Sequence, residues 1–513
     1  MTKLFVTFCG AARTVTGSLY HLEYIDSKGE SFKFVLDAGM FQVGGRANLY
    51  RVNSHLVFDP KELDALVLTH GHLDHCGRIP YLVKMGFDGP IYSTPATQEI
   101  AEVVMGDSAR MQKDDQGRLP QEYLAIDYFQ KEEYKKQFPK VGEEAQTLNK
   151  PENQIKMIEQ QLEQGQGHLK LYSEVDVIKT MGMFETHSYH KKFKIHQEIE
   201  VEFFDAGHIL GSAYVVFHFL VDDKKVVFSG DLGNLDKPII EDPETPPIIN
   251  NLAAVFTETT YGNKVHGQKE PKLKLQEAIL PVLTKGHKVF IPSFSVERAQ
   301  EIIYFLYELM EEKKIPTVPV YLDSPMAIKV VDIMKTHTEL YDKEMDKKIH
   351  TNHNPFTWKN LKIITTPEES KSINHLNIPC IIIAGSGMLT GGRMLKHLSY
   401  HIQNPDHLLM FCGYQAEGTL GRQIMDNAST IEIDQRRFEV NIQKINITEF
   451  SAHADRITLH KWLEDLYNGS DKATLFLMHG EADAVLAYQD EINKSIPNLK
   501  THWPKFAEKV EIW

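Results

Sequence analysis

The sequence predicts an α/β protein made of a β-rich unit and a second unit built on a parallel sheet. Two patterns lead to this prediction. In the first third of the chain, and again over 199–259, short strands end where Gly, Asp or His residues cluster. From about residue 263, nearly continuous apolar runs alternate with helical stretches, as buried parallel strands do. A length of 513 residues also favours two domains or one large insertion.

The strands of the β-rich unit are predicted at 4–11, 31–39 and 64–70. Further along, "IEVEFFDAGH" alternates apolar and polar residues from Ile199 and breaks at Asp205. This alternation is typical of a strand with one buried face. The polar residues of this unit therefore gather at strand ends.

The second unit is predicted from apolar runs such as "HKVFIPSF", "PCIIIAGSG" and "HLLMFCGY". Among them lies a helical stretch, 295–314, with Ser295 placed to cap it. After about residue 450 the chain returns to a strand at 473–480. The predicted division is a core of 1–262 and 450–513 that is interrupted by an inserted unit of 263–449.

The segment 107–170 differs from both units because it is rich in Lys, Glu and Gln. Ile155, Ile158 and Leu162 lie at the spacing of one weak amphipathic helix. We interpret the segment as a solvated surface insertion; the alternative is a lid or a partner-docking element.

The composition is that of an ordinary globular protein, with 42% hydrophobic and 25% charged residues. No apolar run reaches the roughly 18 residues of a membrane span, so no membrane association is expected. The 4 cysteines form no close pair, which favours a reducing, cytoplasmic location. A net charge of −14 argues against a protein that coats nucleic acid, although some of the acids are candidate metal ligands.

The run "LVLTHGHLDHCGRIP" at 66–80 carries four candidate metal ligands directly after an apolar stretch. Residues two apart can point the same way, so His70 and His72 can share one metal ion. Asp74 and His75 lie farther round the loop and can reach a second ion. Imidazole and carboxylate ligands suit zinc and its borderline neighbours.

Further candidate ligands follow other predicted strands, because one loop cannot complete two coordination spheres. They are His208 in "FFDAGHILG", Asp231 in "VVFSGDLGN", His479 in "LFLMHGEAD" and Asp37 in "VLDAGMF". A single His or Asp in such a place is usually a turn or capping residue. The H-x-H-x-D-H run together with several matching strand ends favours a metal centre instead.

These motifs resemble the metallo-β-lactamase superfamily, and specifically its β-CASP branch of RNA-processing nucleases. That branch includes the mRNA 3′-end cleavage nuclease of eukaryotes and its bacterial and archaeal relatives. Glu258 in "FTETTYGN" and His453 in "FSAHAD" extend the likeness, as do "SFSVERAQEI", "YLDSPMA", "AGSGMLTGGR" and "GYQAEGTLGR". The resemblance covers nearly the whole chain except 107–170. It implies an αββα sandwich with an inserted, Rossmann-like β-CASP domain.

The resemblance also implies a role for each ligand. One zinc ion would be bound by His70, His72 and His208, and a second by Asp74, His75 and His479. Asp231 would bridge the two ions, and Asp37 would hold a metal-bound histidine in place. Manganese or iron could replace zinc in isolated protein.

The implied reaction is hydrolysis of an RNA phosphodiester by a hydroxide that the two metal ions activate. His453 would act as general acid on the leaving oxygen, and Glu258 would orient it and keep it charged. Asp74 is a further, weaker candidate for accepting a proton. By spacing alone, Glu258 and His453 are ordinary surface or capping residues, and only the motif context favours catalysis.

Substrate binding is expected at "AGSGMLTGGRMLKH", where four glycines expose backbone N–H groups between a strand and a helix. Its glycine spacing is not that of the dinucleotide fingerprint, and a purely structural turn is the alternative. The candidate contacts to single-stranded RNA are Arg298, Ser324, Ser386, Gly387, Arg393, Lys396 and Arg422.

The function predicted from the sequence is therefore that of a zinc-dependent ribonuclease. The alternatives are a hydrolase of a small ester, thioester or lactam on the same core, and a non-catalytic scaffold of RNA processing. A DNA nuclease is a further possibility within the superfamily, but His479 favours the RNA-acting branch. Endonucleolytic or exonucleolytic action, the preferred RNA sequence and a possible homodimer stay open.

Overall fold

The computed structural model describes residues 1–42, 46–114, 170–247, 249–267, 270–351, 353–413, 415, 418–467, 473–496 and 498–513. The chain divides into two compact units. The first comprises Met1–Gly233, Pro243–Lys264 and His453–Trp513, and the second comprises Asn234–Asp242 and Val265–Ala452. The predicted insertion of 107–170 lies outside the described residues from 115 to 169, and its first residues continue a helix that ends at Asp114.

The first unit contains two seven-stranded sheets, and the first sheet has the order β22-β1-β2-β3-β4-β5-β6. Its strands are β1 (Lys3–Phe8), β2 (Tyr20–Ile25), β3 (Ser31–Leu36), β4 (Ala65–Val67), β5 (Ile91–Ser93), β6 (Phe184–Thr186) and β22 (Lys509–Glu511). Strands β22 to β3 pair antiparallel, and β3 to β6 pair parallel.

The second sheet has the order β21-β20-β11-β10-β9-β8-β7. Its strands are β7 (Phe193–His196), β8 (Ile199–Asp205), β9 (Ala213–Phe219), β10 (Lys224–Phe228), β11 (Leu252–Glu258), β20 (Thr474–Met478) and β21 (Thr501–His502). Strands β7 to β10 pair antiparallel, whereas β10, β11, β20 and β21 pair parallel.

One apolar core joins the inner faces of these two sheets. The alternating pattern predicted from Ile199 is present, since Ile199, Val201 and Phe203 are buried in this core. Aromatic rings fill its middle: Phe228 stacks on Phe256 with centroids 4.1 Å apart. Burial of such large rings supplies much of the free energy that holds two sheets together.

Helices cover the outer faces, which confirms the predicted αββα layering of the α/β core. They are α1 (Arg46–Ser54), α2 (Leu73–Cys76), α3 (Ile79–Lys84), α4 (Pro95–Asp114), α5 (Glu174–Met181), α13 (Arg456–Tyr467) and α14 (Ala482–Ser495). A second apolar cluster packs α13 and α14 on the outer face of the second sheet through Trp462 and Tyr488. No helix among the described residues is long and apolar enough to cross a membrane.

The second unit is built on a six-stranded parallel sheet of order β14-β13-β15-β12-β16-β19, as its apolar runs predicted. Its strands are β12 (Val289–Pro292), β13 (Val320–Asp323), β14 (Leu361–Ile363), β15 (Ile381–Ala384), β16 (Leu408–Phe411), β19 (Gln443–Asn446) and the separate pair β17 (Thr430–Ile433) and β18 (Arg436–Glu439). Its helices are α6 (Pro271–Thr284), α7 (Arg298–Glu311), α8 (Pro325–Thr336), α9 (Lys343–His350), α10 (Pro367–Ile373), α11 (Arg393–His401) and α12 (Leu420–Met425).

The start of α7 differs from its prediction. The helix begins at Arg298, and the preceding Glu297 has a φ of 65°, outside the helical region. Ser295 does not cap it: its Oγ lies 3.1 Å from Oγ of Ser324. The capping pattern misled because Ser295 lies in the loop that leads from β12 into the helix, and its hydroxyl contacts Ser324 at the end of β13, two strands away in the sheet.

Candidate metal centre

The predicted ligands lie at the carboxyl ends of strands in the first unit. Asp37 follows β3, His70 and His72 follow β4, His208 follows β8, Asp231 follows β10, and His479 follows β20. Parallel strands bring such ends to one edge of a sheet, so side chains far apart in sequence meet there. All of these side chains except that of His72 are buried.

Four of them form a first cluster: His70, His72, His208 and Asp231. Nδ1 of His72 lies 3.2 Å from Nε2 of His70 and 3.1 Å from Nε2 of His208. Oδ2 of Asp231 lies 3.5 Å from the His70 nitrogen and 3.6 Å from the His208 nitrogen. Three ring nitrogens and one carboxylate oxygen thus face a common point.

Asp74, His75 and His479 form a second cluster. Nε2 of His479 lies 3.7 Å from Oδ2 of Asp74. Asp231 also reaches this cluster, because its Oδ1 lies 3.3 Å from Nε2 of His75 and 3.7 Å from Nδ1 of His479. One oxygen of Asp231 therefore faces each cluster.

The donor atoms of the two clusters fit metal cations. Oδ1 of Asp231 and Nε2 of His479 are buried and have no hydrogen-bond partner among the described residues. Buried polar atoms are almost always paired, so unpaired atoms in a converging set of imidazoles and carboxylates fit an ion. A carboxylate with one oxygen toward each cluster fits two ions.

The electrostatics agree with this fit. Burial lowers the pKa of His70 well below its usual value and that of His72 to about 4, so both rings are neutral. Burial opposes ionisation of Asp231, but the imidazoles of His479 and His75 outweigh it and hold its pKa well below the usual value. Neutral imidazoles and ionised carboxylates are the forms that bind metal ions. Burial also lowers the pKa of His75, but Asp231 and Asp37 outweigh it and raise the pKa well above its usual value, so an ion bound there would displace a proton from this ring.

Asp37 and Thr69 hold the imidazoles of this centre in orientation. Oδ2 of Asp37 lies 2.7 Å from Nδ1 of His75, which leaves Nε2 directed toward Asp231. The Thr69 hydroxyl bonds Asp37 and lies 3.1 Å from Nδ1 of His70. Partners on the second ring nitrogen fix the tautomer of a metal-binding histidine. The sequence pointed to Asp37 but missed Thr69, whose only signal was a polar residue between an apolar strand and His70.

Close backbone contacts bring the Asp37 loop to the Asp74 loop. The Ala38 amide donates to the carbonyl oxygen of His75 over 2.7 Å. A Cβ at Gly39 would lie 1.5 Å from the Asp74 carbonyl oxygen, so no residue larger than glycine fits there. The loop geometry that presents Asp74 and His75 therefore depends on Gly39.

Glu258 and His453 form a pair next to the first cluster. Nδ1 of His453 lies 3.3 Å from both carboxylate oxygens of Glu258. Glu258 is fixed in turn, since it accepts hydrogen bonds from the Leu232 and Thr260 amides. Burial lowers the pKa of His453, but Glu258 and Asp231 more than offset this and raise it to about 9. The imidazolium form, which can donate a proton, is thereby stabilised.

The chain matches known protein families and individual relatives. Family models match residues 24–166 (metallo-beta-lactamase superfamily), 299–424 (Beta-Casp domain) and 437–504 (Zn-dependent metallo-hydrolase RNA specificity domain). Ribonuclease TTHA0252 of Thermus thermophilus is 33% identical over 479 residues, covering 93% of this chain and 93% of the relative. The chain belongs to the β-CASP family of the metallo-β-lactamase superfamily.

More distant β-CASP relatives also match. Transcription termination factor FttA of Methanosarcina mazei is 28% identical over 504 residues, which are 96% of this chain and 69% of the relative. An RNase J-like protein of Methanocaldococcus jannaschii is 28% identical over 442 residues, covering 85% and 86%. A solved structure of a protein of unknown function from Enterococcus faecalis V583 has a TM-score of 0.51 at 12% identity, covering 99% of this chain and 100% of that chain, and supports the fold alone.

The second unit contains the matched Beta-Casp domain and is called the β-CASP unit. It brings three of the predicted substrate-binding residues together. Ser324 follows β13, and Ser386 and Gly387 follow β15, its neighbour in the sheet. A Cβ at Gly385 would lie 3.8 Å from Oγ of Ser324 and 3.9 Å from Oγ of Ser295. The strand ends therefore carry hydroxyls and glycine backbone close to one another.

The guanidinium groups of two predicted RNA contacts have other neighbours. Arg393 bonds Asp323 over 2.5 Å and also donates to the carbonyl oxygens of Ile364 and Thr365. Arg298 is buried, with its guanidinium 3.7 Å from Glu301. Both act within the β-CASP unit in this structure.

The other two predicted cationic contacts are accessible. Lys396 is exposed on α11. Arg422 on α12 bonds Asp426 over 2.8 Å, and 39% of its side chain is exposed. An exposed ion pair of this kind contributes little stability.

Proposed function

We propose that this protein is a zinc-dependent ribonuclease that hydrolyses phosphodiester bonds of single-stranded RNA. The observation that carries the proposal is the meeting of two buried ligand clusters at Asp231, with the Glu258–His453 pair beside them. The clusters suit metal-assisted hydrolysis. The pair adds a proton donor, which the alkoxide leaving group of a phosphodiester needs and an activated small ester does not.

The relatives support RNA as the substrate. The 33% identical protein of Thermus thermophilus is named a ribonuclease, and residues 437–504 match an RNA specificity domain. That range includes His453 and His479, so the matched segment contributes to the catalytic centre itself.

Seven residues would hold the two metal ions, with Asp231 between them. The ligands are His70, His72, His208, Asp231, Asp74, His75 and His479. Imidazole-rich sets with carboxylates favour zinc, and Mn²⁺ or Fe²⁺ could replace it. When bound, two such ions neutralise phosphate charge and lower the pKa of a coordinated water.

The remaining steps belong to side chains of the chain. With Nδ1 held by Glu258, His453 presents Nε2 as the nitrogen that protonates the leaving oxygen. Asp37 keeps His75 oriented throughout. Burial raises the pKa of Asp74, but the neighbouring imidazoles of His479 and His75 outweigh it and hold the pKa below its usual value, so Asp74 stays ionised and can accept a proton only weakly.

The test compares metal content and substrate range in the parent protein and in variants. Elemental analysis should give about two zinc ions per parent chain, and labelled single-stranded RNA should be cleaved, whereas a thioester and a β-lactam should not. Asp231→Ala should lose metal and activity. His453→Ala should keep the metal and lose about 10³-fold in RNA cleavage, within the range for a general acid.

A histidine elsewhere serves as the matched control. His350→Ala on α9, with 73% of its side chain exposed, should leave metal content and activity unchanged. Turnover of the thioester or lactam without need of His453, and no RNA cleavage, would replace this proposal by a small-molecule hydrolase. Whether the protein forms a homodimer, which the sequence left open, is tested by the mass of the same preparation in solution.

A further inference from the structure

The parallel sheet of the β-CASP unit has a topological switch point between β12 and β15. From β12 the chain passes over β15 to β13, whereas from β15 it passes over β12 to β16. The connections that leave these two neighbouring strands therefore run in opposite directions. In open parallel sheets this arrangement opens a crevice at the carboxyl ends of the two strands, where ligands bind.

The two loops that border this crevice touch at Gly387. A Cβ at Gly387 would lie 3.1 Å from two ring carbons of Phe294 and 3.2 Å from its backbone nitrogen. Ser295, the next residue in the β12 loop, pairs with Ser324 over 3.1 Å. The crevice is thus lined by glycine backbone and serine hydroxyls, groups that donate hydrogen bonds to phosphate oxygens.

Phe294 borders this crevice and is unusually exposed for an aromatic residue beside a buried strand. It is 42% exposed, although Ser293 before it and Val296 after Ser295 are buried. The strand that leads to it, β12, is buried at every position. This exposure of Phe294 was not expected from the sequence, because an aromatic residue next to a buried strand is normally part of the core.

Behind the crevice, Asp323 fixes the strand ends. Its carboxylate, which is fully buried, bonds Arg393, His397 and Ser370 over 2.5–2.7 Å. Nδ1 of His397 lies 2.8 Å from the side-chain oxygen of Asn374. A side-chain network of this kind makes the loops after β13 and β15 rigid, so the crevice is formed before a ligand arrives.

We propose that this switch-point crevice is a nucleotide subsite in which the exposed ring of Phe294 stacks against one base of the RNA. The phosphate beside that base would be bound by the hydroxyls of Ser295 and Ser324 and by the Gly385–Gly387 backbone. The inference rests on the proposed ribonuclease function and adds a base-contacting residue to it. Stacking on an aromatic side chain is tolerant of sequence, as every base has an aromatic face.

The experiment is a binding scan with base-free nucleotides. Single-stranded RNA oligomers, each lacking the base at one successive position, are titrated against the full chain with His453→Ala to prevent cleavage, and against the same chain with Phe294→Ala. In the first protein, removal of one particular base should weaken binding about tenfold. With Phe294→Ala, intact RNA should bind about tenfold more weakly, and removal of that base should have no further effect.

Two further variants separate stacking from simple bulk. Phe294→Trp should keep the affinity of the parent, and its fluorescence should be quenched by RNA. Phe294→Leu, which is apolar but not aromatic, should behave as Phe294→Ala. Tyr400→Ala is the matched control, because Tyr400 is 50% exposed but lies at the far end of α11, and it should bind RNA as the parent does.

The outcomes distinguish this inference from the proposed function. If Phe294→Ala binds every oligomer as the parent does, the stacking inference is overturned, while RNA cleavage by the parent still supports the ribonuclease. If the sensitive base persists in Phe294→Ala, that base stacks elsewhere and the inference is also overturned. If the parent neither binds nor cleaves RNA, the stacking inference and the proposed ribonuclease function are both overturned. Matching thermal unfolding of the variants excludes a folding defect as the cause.

Discussion

The metal centre and the switch-point crevice use the same property of parallel strands in different ways. Both lie at the carboxyl ends of strands, which come from two sheets in the metal centre and from one sheet in the crevice. The metal centre collects buried imidazoles and carboxylates, whose charges are compensated by one another and by the ions they fit. In the crevice, the charged network around Asp323 lies behind the strand ends, and hydroxyls, backbone groups and one aromatic ring form the lining. The side chains that follow the strands therefore determine the chemistry of each site, and the strand ends only bring those side chains together.

The largest effect is expected from Glu258→Gln beside the metal centre. The substitution keeps shape but removes the charge that stabilises the His453 imidazolium. RNA cleavage should fall about 10³-fold, toward the loss expected for a general acid, while both metal ions stay bound. Rates under single-turnover conditions, together with elemental analysis, measure this. Loss of metal with Glu258→Gln would mean that the pair is part of the metal site.

The next largest effect is expected from Asp323→Asn in the second unit. Burial raises the pKa of Asp323, but hydrogen bonds from His397, Ser370 and Arg393 outweigh it and hold the pKa below its usual value. Removal of one partner from such a buried network should lower the free energy of unfolding by about 3 kcal/mol. Urea unfolding at pH 7 measures the difference.

The pH dependence of this difference has a definite sign. Because the folded pKa of Asp323 is depressed, its stabilisation is fully present above the pKa of the unfolded chain, about 4. The difference between parent and Asp323→Asn should stay constant from about pH 5 to pH 8 and shrink only as the pH falls below about 4. A difference that shrinks near neutral pH would assign the titration to a histidine instead.

A smaller effect is expected from Thr69→Val at the metal centre. The change removes the hydroxyl that bonds Asp37 and keeps the side-chain shape. Metal affinity should fall about 10- to 100-fold, as for other residues that orient metal-binding histidines. Competition with a chelator measures this, and Thr69→Ser, which retains the hydroxyl, should stay close to the parent. Equal losses in both variants would indicate packing rather than orientation.

The smallest effects are expected from Lys396→Ala and Arg422→Ala, the two cations with exposed side chains among the predicted RNA contacts. Each should weaken RNA binding only a few-fold and should reduce the slope of log affinity against log salt by about one. Lys347→Ala on α9, also an exposed lysine, should leave the slope unchanged. Unchanged slopes in all three variants would remove Lys396 and Arg422 from the RNA contacts.

The sequence patterns predicted the β-rich unit, the parallel sheet and the set of candidate ligands because those signals are local. The αββα layering was implied only by the family resemblance. The run from His70 to His75 has its ligands at fixed short spacing, and the apolar strands are continuous. Glu258 and His453 gave no such signal and were found only through the family resemblance. No local sequence pattern predicts that the carboxylate at the end of β11 contacts an imidazole much later in the chain.

The misses have physical causes as well. Ser295 matched a capping pattern, but the backbone at Glu297 leaves the helical region before the helix begins. Thr69 and Phe294 were overlooked because a threonine at a strand end and an aromatic residue beside a buried strand are both ordinary. Arg393 stays a predicted RNA contact, and the sequence did not show that its guanidinium bonds Asp323 and a backbone carbonyl. Each miss depended on a contact between distant parts of the chain.

The interleaved path of the chain also has a consequence for synthesis. Strand β20, which ends next to His479, pairs with β11 although most of the second unit, Val265–Ala452, is translated between them. His453 also emerges after that unit. While Val265–Ala452 is being translated, a growing chain therefore carries His70 to His75 and Asp231 without His453 or His479. The metal centre and its proton donor are assembled only after the second unit has been made.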